Sequence, residues 1–64
     1  MFKANQELRS PFDFDNARFF AVPIHVYQEG EKIDYGRISK HTDECVVVND
    51  GYFIKENCVF KVAF

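Results

Sequence analysis

The sequence predicts an all-β fold, a small barrel or sandwich of five short strands. Three observations predict it. The chain from Arg18 to Phe64 is dense in β-branched and aromatic residues. Its apolar residues alternate with a period of two over successive short runs. Turn signals separate those runs at close intervals, at Glu29-Gly30-Glu31, Lys40-His41-Thr42-Asp43, Asn49-Asp50-Gly51 and Lys55-Glu56-Asn57.

The 64 residues make one domain, with an N-terminal extension over residues 1–17 and the β-barrel over 18–64. The extension is the least regular part. FKANQELRS predicts a short helical turn with Phe2, Ala4 and Leu8 facing inward. Ser10-Pro11 breaks it, because a residue before proline avoids the helical region. PFDFDNA alternates Phe12, Asp13, Phe14 and Asp15, which suits an extended edge segment. Asp15-Asn16 also reads as the start of a turn.

RFFAVPIHVYQ is the first strand, with Phe20, Val22, Ile24 and Val26 on one face. Pro23 cannot donate to a ladder, so it marks an edge, a bulge or the junction of two segments. KIDYGRIS is the second strand. Its apolar parity switches near Gly36, where a bulge or bend turns both Ile33 and Ile38 inward. ECVVV is the third strand. Asn49-Asp50-Gly51 predicts a three-residue hairpin loop with Gly51 in the left-handed region. YFI is the fourth strand, and Lys55-Glu56-Asn57 a single 3₁₀ turn. CVFKVAF closes the fold, with Cys58, Phe60, Val62 and Phe64 on one face.

HVYQEGEKIDYGRI, VVVNDGYFI and the KEN turn before CVFKV give Ile24–Val62 a layout that resembles the SH3-like small barrels, including the KOW and Tudor modules. The resemblance implies a five-stranded SH3-like barrel with its second strand bent at Gly36, a tight hairpin at NDG and a 3₁₀ turn before the last strand. It covers about two-thirds of the chain and leaves Met1–Ala17 without a counterpart. Barrels of this kind serve many functions, so the layout implies no single one. The compact chain also resembles small accessory proteins of bacteria and their phages.

Composition narrows the function classes. Net charge is -2, and no two of the eight Lys and Arg residues are adjacent, which argues against non-specific nucleic-acid binding. The N-terminus lacks the apolar core of a signal peptide, and no apolar run approaches the ~20 residues of a membrane helix. A cytoplasmic protein with no membrane partner is expected. Cys45 and Cys58 are then expected as free thiols that behave as small hydrophobes.

The residues that carry chemistry are sparse. His25, His41, Cys45 and Cys58 are the only soft metal ligands, and they lack the paired spacing of a zinc site, so no metal is expected. The three glycines are isolated and make no phosphate cradle, so no cofactor is expected either. A thiol with a histidine base satisfies the residue types for nucleophilic catalysis, but so short a chain has little room for a substrate pocket. No enzyme is expected.

Binding remains, with another protein or a second copy as the partner. Eight Phe and three Tyr exceed what so small a core absorbs. Phe12, Phe14, Phe19, Tyr27 and Tyr35 are the expected contact residues of a small protein-interaction or regulatory module, within a polar rim of Asp13, Asp15 and Arg18. In an extended PFDFDNARFF, Phe12 and Phe14 either cap the barrel's open end or add to a partner's sheet. The alternatives are a structural subunit of a homo-oligomer and a nucleic-acid-binding barrel. The latter would stack bases on Tyr27 and Tyr35 and hold phosphates with Arg37, Lys40 and Lys55.

Overall fold

The C-terminal two-thirds of the chain obeys its alternation, and the N-terminal third does not. A computed structural model describes residues 2–64; Met1 lies outside the described residues. The elements in order are β1 (Glu7–Leu8), α1 (Pro11–Phe19), β2 (Ile24–Gln28), β3 (Glu31–Gly36), β4 (Ile38–His41), β5 (Cys45–Val48), β6 (Gly51–Ile54) and β7 (Val59–Val62). The strands form two antiparallel sheets, ordered β1-β7-β2-β3 and β4-β5-β6. The chain is thus mostly β, as expected. Among the described residues there are seven strands where five were predicted, and the ladders do not close into a barrel.

The core lies between the sheets. Ile24 and Val26 of β2, Val46 and Val48 of β5, and Phe60 and Val62 of β7 are its largest fully buried side chains. Their period-two spacing is the reason: each strand turns one face inward. A strand of single parity can bury only half its residues, so His25 and Tyr27 stay on the outer face of β2.

KIDYGRIS is not one strand. β3 ends at Gly36 and pairs with β2, while β4 starts at Ile38 and pairs with β5. The bend therefore carries the chain from one sheet to the other. Ile38 turns inward as expected, at 5% exposure, but Ile33 remains 42% exposed because β3 is an edge strand. Gly36 has its own steric reason: a Cβ there would stand 2.7 Å from Asn49 Nδ2.

Both tight hairpins have two-residue loops. Asn49 and Asp50 have φ of 50° and 66°, and Val48 pairs with Gly51 across them. That is a type I′ turn, whose twist matches its strands. Gly51 is the first residue of β6 and not the left-handed residue of a three-residue loop. Glu29 and Gly30 turn β2 into β3 in the same way, at φ of 52° and 82°. Lys55-Glu56-Asn57 forms one turn, in which Asn57 N–H donates to Ile54 O at 3.0 Å.

The largest departure is α1, where an extended edge segment was expected. Proline does restrict Ser10, which sits at ψ 160°. That extended residue begins a helix and ends none. Pro11 occupies the first helical position, where its missing N–H is not needed. Asp13 N–H donates to Ser10 Oγ and Ser10 N–H donates to Asp13 Oδ2, each at 3.2 Å, which completes a capping box. The apparent period of two in FDFD is overridden because only Phe14 and Ala17, three apart, face inward.

The helix ends as firmly as it starts. Val22 N–H donates to Ala17 O and Ala21 N–H to Arg18 O, a Schellman closure with Ala21 at φ 53°. RFFAV is consequently helix and cap, and the strand begins only after Pro23. Upstream, Lys3–Gln6 makes a single turn and Glu7–Leu8 adds to β7 as a fourth strand. Leu8 is buried and Phe2 packs on the core, but Ala4 is exposed. Replacing the cap, Ser10→Ala, is expected to lower stability by about 1 kcal/mol. Urea titration checks this, with Asn16→Ala on the exposed helix surface as the comparison.

Candidate protein interface

Among the described residues, α1 carries the two most exposed large hydrophobic side chains. A helix advances 100° per residue, so Phe12 and Phe19, seven residues apart, return to within about 20° of each other. Both point away from the core, at 78% and 80% exposure. Phe20 follows at 52% and stands edge-on to Phe19, with ring centroids 4.9 Å apart. Phe19 and Phe20 form an exposed aromatic pair at the end of the helix, and Phe12 stands on the same face as Phe19 about 10 Å back along the axis.

The buried face anchors that surface. Phe14 is 2% exposed and Ala17 fully buried. The Phe14 ring meets Phe60 edge-on at 5.5 Å and lies 5.7 Å from the His41 ring. Lys55 Nζ sits 4.3 Å from its centroid, a cation–π contact. Phe14 was expected among the contact residues, and the helix corrects this. At three residues before Ala17 it faces the sheet, so no partner can reach its ring.

The polar groups around α1 hold it to β4 and to the chain beside it. His41 Nε2 and Asp15 Oδ1 are 2.6 Å apart. Arg18 Nε donates to Ser39 O at 3.0 Å, and Arg37 Nε donates to Ala21 O at 2.9 Å. Asp13 serves the capping box and also accepts from Arg9 N–H at 2.9 Å. Asp13, Asp15 and Arg18, the expected rim, therefore border the aromatic surface while fixing the helix that carries it.

Tyr27 and Tyr35 lie elsewhere, on the outer face of the four-stranded sheet. They flank His25, at centroid distances of 6.2 and 5.1 Å, because His25 pairs directly with Tyr35 across β2 and β3. Tyr27 is half-buried and Tyr35 53% exposed. Of the cations expected beside them, Lys40 is exposed on β4, whereas Arg37 is tethered to Ala21 and Lys55 to Phe14. The cation that does approach a tyrosine is Lys61, whose Nζ is 5.5 Å from the Tyr27 centroid. Its position follows from pairing opposite His25, which the sequence does not reveal.

Sequence reasoning also missed a groove. It has a volume of about 240 Å³ between the edges of the two sheets. Ile33 stands on one wall, Tyr52 and Ile54 on the other, and Cys58 lies beside them. Burial pushes the Cys58 thiol above its ordinary pKa, so it stays protonated and weakly nucleophilic at neutral pH. Both cysteines are free thiols. Among the described residues no three of the His, Cys, Asp and Glu side chains converge on a point that could hold a metal ion. No helix among them is long and apolar enough to cross a membrane. Against known proteins, the chain matches no family, no curated protein and no solved structure.

Proposed function

We propose that the protein is a small, non-enzymatic protein-interaction module whose contact surface is the outer face of α1. The observation that carries this reading is the pair Phe12 and Phe19, each about four-fifths exposed on one face of a helix pinned by its other face. Full burial of one phenylalanine against a partner stabilises by about 1.5–3 kcal/mol. Two such anchors, with Phe20 beside them and charges around them, have the composition of an interface centre within a polar rim. The fixed helix adds to this, because a preorganised surface loses little entropy on binding.

The overall layout that accompanies this function is SH3-like. Support comes from the chain crossing between sheets at Gly36, from the two-residue hairpin at Asn49-Asp50 and from the single turn before β7. Support for a role without catalysis comes from the pairing of His41 with Asp15, which holds the helix, and from the size of the groove, which falls below the ~300 Å³ at which small-molecule sites begin.

The test is recovery of partners from the native cell with wild type and with Phe12→Ser/Phe19→Ser. Both positions are exposed, so the double variant is expected to melt within ~0.5 kcal/mol of wild type. It should lose every specific partner that wild type retains. Equal recovery by the two proteins would remove α1 as the contact surface.

A further inference from the structure

We propose that the protein also self-associates, through antiparallel pairing of β6 with β6 of a second copy, which joins two three-stranded sheets into one of six strands. The inference rests on the four sheet edges and is independent of the α1 surface. Unpaired edges invite strand addition, and folded proteins protect them with charge, bulges, shortness or a covering element. Three edges here are protected. β1 has only two residues. β3 carries Glu31, Lys32 and Asp34, pairs with β2 through a bulge, and has its Tyr35 carbonyl taken by Asn49 Nδ2 at 2.7 Å. β4 is covered by α1, and its Ser39 carbonyl accepts from Arg18. β6, Gly51-Tyr52-Phe53-Ile54, has no charge, no proline and no bulge, and no described strand pairs with its outer side. Its open side borders the groove, with Gln28 and Ile33 across from it, and the Ile54 carbonyl accepts from Asn57 N–H at 3.0 Å.

The edge is self-complementary. The pair that closes a two-residue hairpin, Val48 with Gly51, is hydrogen-bonded, so alternate residues of β6 face β5. Lys55 N–H donating to Glu44 O at 2.8 Å keeps that parity. Tyr52 and Ile54 therefore aim their N–H and C=O groups away from the sheet. A two-fold axis perpendicular to the sheet through Phe53 places Tyr52 opposite Ile54 of the second copy, and Ile54 opposite its Tyr52. Both pairs are then of the hydrogen-bonded kind, with Tyr52 N–H donating to Ile54 O and Ile54 N–H donating to Tyr52 O in each direction. Ile54 O already accepts from Asn57 and uses its second lone pair.

The side chains agree with this register. Tyr52 is 72% and Ile54 44% exposed, and the pairing lays each against the other's counterpart on the outer face. Phe53, half-buried, meets its own copy beside the groove. No charge is buried by the four paired residues. A four-residue edge with two large side chains supplies less than the ~800 Å² per partner of a standard interface, so the dimer is weak and forms on the order of 100 µM.

Sedimentation and amide hydrogen exchange across a dilution series from ~10 µM to ~1 mM test this. Wild type is expected to approach twice its 7.5 kDa mass at the upper end. The Tyr52 and Ile54 amides should exchange roughly fivefold more slowly there, as the inverse of the remaining monomer fraction. Tyr52→Lys/Ile54→Lys, which puts like charges opposite each other across the axis, should remain monomeric and folded by circular dichroism. Phe12→Ser/Phe19→Ser should dimerise as wild type does. A wild-type monomer at ~1 mM would overturn the proposal. So would association without protection of those two amides, undiminished association of the lysine variant, or loss of association in the phenylalanine variant. The amide readout on wild type decides the question even if the lysine variant fails to fold.

Discussion

Phe14→Ala is expected to destabilise the protein by about 3–5 kcal/mol, the range for truncating a buried phenylalanine. A 64-residue domain has roughly 3–10 kcal/mol of stability in all, so the variant loses a large share of its stability and, at the low end of that range, unfolds at 25 °C. The ring fills the space between α1 and the core strands, with Phe60 edge-on at 5.5 Å. Its removal leaves a cavity that the helix cannot close without losing its bonds to Ser39 and Asp15's contact with His41. Lys55 also loses the ring beneath its amine. Phe12→Ala, two residues away at 78% exposure, should stay within ~0.5 kcal/mol of wild type. Denaturant titrations of the two variants decide the matter. Equal midpoints would mean that α1 is not seated on its Phe14 face.

Asn49→Ala is expected to cost about 2 kcal/mol and to lower the melting temperature by roughly 10 °C, at 4–8 °C per kcal/mol for a domain of this size. Two effects add. Asn49 occupies the left-handed region at φ 50°, where alanine is strained by about 1 kcal/mol. Its Nδ2 donates to Tyr35 O at 2.7 Å and approaches Asp34 Oδ1 at 3.2 Å, so it ties the β5–β6 turn to β3. Asn49→Gly separates the terms, since glycine accepts the dihedral but lacks the amide. It should lose about 1 kcal/mol, the net worth of a bond or two at a partly solvated site. Identical melting of the alanine and glycine variants would assign the whole effect to the hydrogen bonds.

These two residues also mark where the sequence is legible. Asn49 sits in an NDG turn that announces a hairpin from local chemistry alone, and only the loop length was misjudged. The error is one of register: NDG fits a two-residue turn when Gly51 is the first strand residue, and a three-residue turn when it is not. Phe14 was legible as a large apolar residue but not as an inward one. FDFD reads as period two over four residues, while the inward spacing from Phe14 to Ala17 is helical. The signal that resolves it was present in Ser10-Pro11-Phe12-Asp13, which carries a helix start, a proline at the first position and an acidic capping partner. Reading proline only as a helix breaker hides it.

The candidate surfaces divide in the same way. Phe12 and Phe19 were named from an extended segment, yet they share a surface because a helix brings positions seven apart together. Phe20 was placed on one strand face with Val22, Ile24 and Val26 and is instead the helix cap. The open edge at Tyr52 and Ile54 is not legible in the sequence, because the exposure of a strand edge depends on which strands do not arrive beside it.

What the sequence by itself determined was local. Alternation of Ile24 with Val26, Val46 with Val48 and Phe60 with Val62 is an intrinsic property of each segment, and it sets which face is buried. The turns at Glu29-Gly30 and Asn49-Asp50 follow from Gly30, Asn49 and Asp50, which tolerate positive φ, although Glu29 also adopts it at 52°. What only the tertiary structure decided was non-local. The transfer of the chain between sheets at Gly36, the seating of α1 on β4 and the open edge of β6 all depend on contacts between residues distant in sequence. Each segment's pattern specifies an inward face but not the neighbour that covers it. That choice is made by packing all the faces at once.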